Sequence, residues 1–199
     1  YGRFSPRSTL FTGIDISHHV VRAARSHNEG LSVLCADARY LPFADSSFDV
    51  VISNSSLDHF RTHDQIAKSL RELYRVLKYR GRLFLTLDNL SNPVIALRHI
   101  LPFSLMNKIG VVPYYVGATY GPRKLQSTLE SVGFKVKELD AVLHCPRALA
   151  VLFARIVENK AGSKGKRAFL RVLMAFEHLS RLPTKFLTGY FVAANARKE

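Results

Sequence analysis

The chain has 199 residues, 47% of them hydrophobic and 22% charged, the balance of an ordinary globular domain long enough to bury a core. Its two cysteines, Cys35 and Cys145, show no CxxC or Cys/His ligand spacing, which argues against a disulfide framework or a metal site and makes a reducing cytoplasm the default compartment. The net charge of +14 is uneven: residues 1–90 hold 12 Lys/Arg against 9 Asp/Glu, and residues 91–199 hold 17 against 6. So basic a second half points to an acidic partner such as RNA, an anionic membrane surface or a phosphorylated substrate, with plain solubility the equal competitor. Arg, Lys or His breaks every apolar run before the ~20 residues a membrane span needs.

Through the first half, short apolar runs alternate with segments of helical period, the pattern of βαβ units and a parallel sheet. Strands are expected at Leu10–Ile16, Leu31–Ala36, Phe48–Ser53 and Arg82–Leu87. A short helix over Ser17–Ser26 should be N-capped by Ser17. The strongest helix is His63–Lys78, with Ile66, Ala67, Leu70, Leu73, Tyr74 and Leu77 on one face and Tyr79-Arg80-Gly81 as its stop.

The second half is less regular. Pro93–Ile109 reads as an apolar helix broken or kinked at Pro102, and Pro122–Val132 as a helix ended by Gly133. A strand follows at Lys135–Leu143, then an apolar helix at Pro146–Asn159, a basic linker at 161–166 and an amphipathic helix at Arg167–Leu182. Gly189–Ala196 reads as the last strand.

Three segments of the first half can build one nucleoside site at the carboxyl edge of such a sheet, where ligands of open α/β sheets bind. Asp15 ends the strand at Leu10–Ile16, and a carboxylate there can accept both ribose hydroxyl protons; the simpler alternative is a turn former or helix cap. Asp37, at the tip of the next strand, can accept from an exocyclic amine while the Ala38 N–H donates to a ring nitrogen, unless the pair merely ends the strand. The buried run Phe48–Ser53 delivers Asn54 to the same edge.

These pieces carry a specific resemblance. Asp37-Ala-x-x-Leu41-Pro-Phe-x-Asp45-x-Ser47-Phe48-Asp49-x-Val51, then Leu57-x-His59, then Leu70-x-Glu72-x-x-Arg75-Val76-Leu77-Lys78-x-x-Gly81-x-Leu83 resembles the class I methyltransferases. Within them it is most similar to the subgroup that includes the ubiquinone/menaquinone-type C-methyltransferases. The likeness covers roughly residues 11–90. It implies a Rossmann-like α/β fold whose mostly parallel sheet ends in an antiparallel hairpin (about 135–144 with 189–198), with a helical insertion at about 146–182 before the last strand. It implies a single domain over 1–199, with residues 1–90 on the cofactor side and 91–199 on the substrate side. By resemblance the cofactor is S-adenosyl-L-methionine, with Asp15 and Ile16 at its ribose, Asp37 and Ala38 at its adenine, and Asn54 beside cofactor and substrate.

The front of the chain departs from the family. A first strand and a glycine-rich loop should precede Asp15, and neither is present. Tyr1-Gly2-Arg3-Phe4 resembles the tail of that loop, with Gly2 as its last glycine, so the expectation is a sheet that lacks its first strand. The step of 13 residues from Gly2 to Asp15 is short for the family.

His59 is the candidate catalytic or substrate-orienting group, since an imidazole with an ordinary pKa of about 6.5 suits proton removal near neutrality. Methyl transfer also runs by positioning alone, and a structural or substrate-facing His59 is the slightly favoured reading. Asp58 shares that ambiguity, and His144 is read as a loop histidine without chemistry. Tyr114, Tyr115 and Tyr120 either touch substrate or simply pack. The basic stretch Lys164–Lys185 either lies on a membrane or, more simply, packs its Phe169, Leu170, Leu173, Phe176 and Leu179 onto the sheet or the preceding helix. The expected reaction is methyl transfer to a small-molecule or lipidic substrate, in the cytoplasm or at the periphery of a membrane. An RNA methyltransferase and a non-catalytic methyltransferase-like binding module are the alternatives.

Overall fold

The computed structural model describes residues 10–27, 31–101, 108, 117–146, 150–151, 153–154, 157 and 162–199. Gly2, Tyr114, Tyr115, Pro102 and most of the expected helix at Pro146–Asn159 lie outside them.

The elements follow the predicted alternation: β1 (Thr12–Asp15), α1 (His18–His27), β2 (Ser32–Cys35), β3 (Phe48–Asn54), α2 (His63–Val76), β4 (Leu77–Asp88), α3 (Pro93–Ile100), α4 (Pro122–Val132), β5 (Phe134–Val142), α5 (Ser163–Phe176), α6 (Lys185–Thr188) and β6 (Phe191–Lys198). Single 3-10 turns occupy Leu57–His59 and Glu177–Arg181. Two sheets result: β1 pairs in parallel with β2, and a separate four-stranded sheet runs β3-β4-β6-β5. In it β3 and β4 are parallel, while β6 is antiparallel to both β4 and β5, the expected C-terminal hairpin.

One face of the larger sheet forms the core. Along β4 the side chains alternate, so that Leu83, Leu85 and Leu87 are buried while Arg82 and Phe84 turn outward. Opposite them on β6 stand the smaller Ala196, Ala194 and Val192, which leave room for Ile66 and Leu70 of α2 and Leu125 and Leu129 of α4. On the opposite face Val50 and Phe84 are exposed, and Ile52 is 73% exposed. The helix α1 packs instead on β1 and β2.

Helix ends follow local chemistry. The Thr62 hydroxyl accepts the Gln65 amide at the start of α2, and the Asn92 side chain accepts the Val94 amide at the start of α3, with Pro93 in the first turn. Gly133 ends α4 in the left-handed region at φ 112°, where a Cβ would also meet the Tyr74 ring.

One expectation needs correction. Tyr79-Arg80-Gly81 does not stop α2; the helix gives way at Leu77 to extended backbone, and β4 starts there. A bulge with Arg80 at φ 65° then turns Gly81 back on its own strand and against β3, so that a Cβ would lie 2.8 Å from the Lys78 carbonyl oxygen and 3.2 Å from the Asp49 carbonyl oxygen. The close approach, and not a helix cap, is what requires glycine. None of the 14 residues of the basic helix α5 is buried, so it does not pack into the core of the sheet; the preceding helix, the other surface expected for its apolar face, lies mostly outside the described residues. Among the described elements its main contact is the 3-10 turn that follows it.

Candidate functional site

The carboxyl ends of β1 and β2 are level, because Asp15 pairs with Cys35 and the Ala36 amide donates to the Asp15 carbonyl at 3.0 Å. Asp37 and Ala38 therefore follow directly beside Asp15. The Asp15 Oδ1 atom accepts the Ser17 amide at 2.8 Å, and the Ser17 hydroxyl in turn lies 3.5 Å from the Val20 amide at the start of α1. The turn-forming role weighed for Asp15 is thus present, and its second carboxylate oxygen carries no hydrogen bond among the described residues. Ile16, next along, is largely exposed.

Asp37 is gripped by Arg39. The guanidinium donates to both carboxylate oxygens and the Arg39 amide donates to Oδ1 at 2.8 Å. The side-chain hydrogen bond from Arg39 holds the Asp37 carboxyl below the ordinary carboxylate range, outweighing partial burial. Arg39 also lies over the Phe60 ring, 5.1 Å from its centroid.

The loop after Ala38 is pinned by the motif residues of α2. Glu72 Oε2 accepts the Leu41 amide at 2.8 Å. Arg75 donates to Glu72, to the Leu41 and Phe43 carbonyls at 3.0 and 2.8 Å, and to Asp45 at 2.7 Å. Hydrogen bonding to Arg75 depresses the Glu72 pKa as well. The Glu72-x-x-Arg75 spacing places both on one helix face, and their work is to hold the Asp37-Ala38 corner in place.

Asn54 ends β3 opposite Thr86 of β4, whose hydroxyl donates to Asn54 Oδ1 at 2.6 Å. Ser55 follows at φ 46°, a left-handed conformation rare for serine and held by its amide donating to the Thr86 carbonyl and hydroxyl oxygens. The Ser55 hydroxyl donates to Asp58 Oδ2 at 2.8 Å. Asp58 is only 3% exposed and its Oδ1 has no hydrogen-bond partner. His59 beside it is exposed. The turn that carries both is covered by Gly117, where a Cβ would fall 2.1 Å from the Phe60 carbonyl oxygen, and by the Ala118 amide donating to that oxygen.

Other candidates resolve as packing. His144 is 3% exposed, with Nδ1 2.7 Å from the Thr188 hydroxyl and Nε2 2.9 Å from the Ala141 carbonyl. Tyr120 is buried, stacks on His63 with ring centroids 4.7 Å apart, and donates its hydroxyl to the His63 carbonyl. Residue reading alone missed Arg39, Thr86 and Ser55; an arginine two residues after a candidate ligand was the one visible signal.

The cofactor expected from the motifs can be tested against this donor set. Asp15 keeps an open carboxylate oxygen for ribose hydroxyls, the Ala38 N–H makes no hydrogen bond among the described residues, and Ile16, next to Asp15 in the chain, is an exposed apolar residue. The nucleoside half of S-adenosylmethionine fits these groups. No group of three or more metal-ligating side chains occurs among the described residues.

Residues 3–85 match the family described as a methyltransferase domain. A tRNA (carboxymethyluridine(34)-5-O)-methyltransferase of Arabidopsis thaliana is 37% identical over 79 residues, 40% of this chain and 19% of that protein. A ubiquinone/menaquinone biosynthesis C-methyltransferase of Haemophilus ducreyi is 31% identical over 104 residues, 48% of this chain and 39% of that protein. The solved structure of a SAM-dependent methyltransferase from Thermotoga maritima superposes with a TM-score of 0.59 at 19% identity, covering all of this chain and 77% of that one.

Fold and matched segment together define the class: a Rossmann-like, class I methyltransferase fold whose residues 3–85 match a methyltransferase domain. S-adenosyl-L-methionine is the cofactor that this family and fold imply. The chain spans about a fifth to two-fifths of the curated relatives named, and those relatives differ in acceptor, one acting on tRNA and one in quinone synthesis.

Proposed function

We propose that this chain forms the cofactor-binding and acceptor-facing part of a methyltransferase that uses S-adenosylmethionine and methylates a small-molecule or lipidic acceptor. The observation that carries the reading is the level placement of Asp15 beside Asp37-Ala38, with an open carboxylate oxygen and an open N–H at one sheet edge. In it Asp15 accepts the ribose hydroxyls, and Ala38 donates to the adenine ring while Asp37 accepts from its amine. Arg39 keeps Asp37 ionised and fixed for that task, and Arg75 fixes the loop behind it. Once bound, the cofactor supplies an electrophilic methyl on a sulfonium, so the protein's share is largely alignment. The Asn54–Thr86 pair stiffens the edge along which an acceptor approaches. Exposed His59 orients the acceptor and can take its proton where the acceptor is an acid. The matched quinone-synthesis relative supports a lipidic acceptor.

A second reading, methylation of RNA, is favoured by the matched tRNA methyltransferase and by the basic second half. The reading as a non-catalytic binding module is weakened by the retained Asp15, Asp37 and Asn54. Calorimetric titration of S-adenosylhomocysteine into the intact protein tests the shared core of both enzymatic readings. Asp15→Ala and Asp37→Ala should each weaken binding by about 1.5–3 kcal/mol, the cost of one charged hydrogen-bonding partner. Unchanged affinity in both would refute the site.

A further inference from the structure

The helix α5 has four cations, Lys164, Lys166, Arg167 and Arg171, and no acidic residue. Phe169 and Leu173 are half-buried on its inner side, yet Leu170 is 56% and Met174 69% exposed. These two are one turn apart, and helical spacing sets Lys166 and Arg167 four and three residues before Leu170, with Arg171 three before Met174. An outward apolar ridge is therefore flanked by cations. Its position matters as much. Asp88 and Val142 both pair with Phe191, so the end of β5 is level with the end of β4, the edge that holds Asn54 and Thr86. The Leu143 and His144 amides donate to the Glu177 carboxylate, the residue just after α5, at 3.3 and 3.0 Å. That ties the end of α5 to the candidate site's edge. From the same edge α3 presents exposed Val94, Leu97 and Ile100.

We propose that α5 is an interfacial helix that docks the molecule on an anionic lipid surface through Leu170, Met174 and the cations beside them, with the site's edge turned toward the bilayer. The proposal rests on the lipidic-acceptor reading and gives it a delivery route, since a membrane-dissolved acceptor would then reach the site without crossing water. Charge decides the occupant. Anionic headgroups satisfy all four cations while the acyl boundary takes up the two apolar side chains. A second copy would bring four cations against four like charges, and RNA would leave Leu170 and Met174 in water. No helix among the described residues is long and apolar enough to cross a membrane.

The test is co-sedimentation of the intact protein with phosphatidylcholine vesicles containing phosphatidylglycerol, beside vesicles of phosphatidylcholine alone. Binding should require the anionic lipid and weaken as salt rises. Reversal in R167E/R171E should lower the partition by on the order of tenfold or more, from about 1 kcal/mol per surface cation. L170D/M174D should lose binding too, although its cations remain. Circular dichroism melts and S-adenosylhomocysteine titration should be unchanged in both, because these residues lie outside the core and the nucleoside site. Equal binding to both vesicle types, or binding retained by both variants, overturns the proposal. So does vesicle indifference combined with single-stranded RNA binding that R167E/R171E abolishes, or a dimer that L170D/M174D dissolves. Vesicle preference lost with cofactor binding intact defeats the docking alone; cofactor binding absent with vesicle preference intact defeats only the methyl-transfer reading.

Discussion

The Oδ2 atom of Asp58 accepts the Asp88 amide at 3.1 Å, and so ties the turn carrying His59 to the carboxyl end of β4. The same oxygen accepts the Ser55 hydroxyl, so one buried carboxylate fixes three segments of the candidate site's edge. Asp58→Ala should cost about 1.5–3 kcal/mol, since it strands a buried amide beside a hydroxyl that lose a charged acceptor. Asp58→Asn keeps an acceptor oxygen and should cost less than half as much. Urea unfolding midpoints measure the difference, and an alanine variant as stable as the parent would contradict the tie.

Arg75 makes its bonds to Glu72, Asp45 and two loop carbonyls through the planar guanidinium fork, which a lysine cannot copy. Arg75→Lys should therefore lower stability by roughly 1–3 kcal/mol despite keeping the charge. Protease sensitivity should rise in the loop at residues 38–47, and S-adenosylhomocysteine affinity should fall with it. Limited proteolysis beside calorimetry checks both effects; a lysine variant that resists cleavage as the parent does would show that charge alone suffices.

The Asp37 carboxyl is held below its ordinary value by the hydrogen bond from Arg39. A depressed carboxylate pKa stabilises the fold at pH above the unfolded value of about 3.9, and that share disappears as pH falls through the folded value. Arg39→Ala should let Asp37 titrate closer to about 3.9, so that its ionised form is lost at higher pH on acidification. Carboxyl-selective NMR titration separates Asp37 from Glu72, which Arg75 depresses in the same direction. An Asp37 midpoint that does not move in the variant would place the cause elsewhere.

His59 lies exposed beside the buried Asp58, and in the proposed site it contacts the acceptor. His59→Ala should raise the acceptor KM and change kcat by less than about tenfold, with S-adenosylhomocysteine binding untouched. Proton transfer by a positioned base contributes about 10²–10⁴. A kcat loss of that size would assign His59 as the general base instead.

Strand and helix periods were enough to order the elements from Thr12 to Lys198, because each reflects a local alternation between core and solvent. The motif residues also announced a nucleotide-type site, since Asp15, Asp37 and Asn54 each end a strand and parallel strands bring such ends to one edge. What each motif residue does was settled only by packing. Glu72 and Arg75 reach back over thirty residues to the Leu41 amide and the Phe43 carbonyl, and the bulge that sets Gly81 against the Lys78 and Asp49 carbonyls forms where β4 pairs with β3; neither fact follows from local pattern. The end of α2 was misread for the same reason, as strand pairing with β3 overrode a basic, glycine-containing stop signal. The helix α5 shows the limit from the other side. Its amphipathic sequence fits a core helix and a surface helix equally well, and only the tertiary arrangement, which leaves Leu170 and Met174 in solvent, distinguishes them.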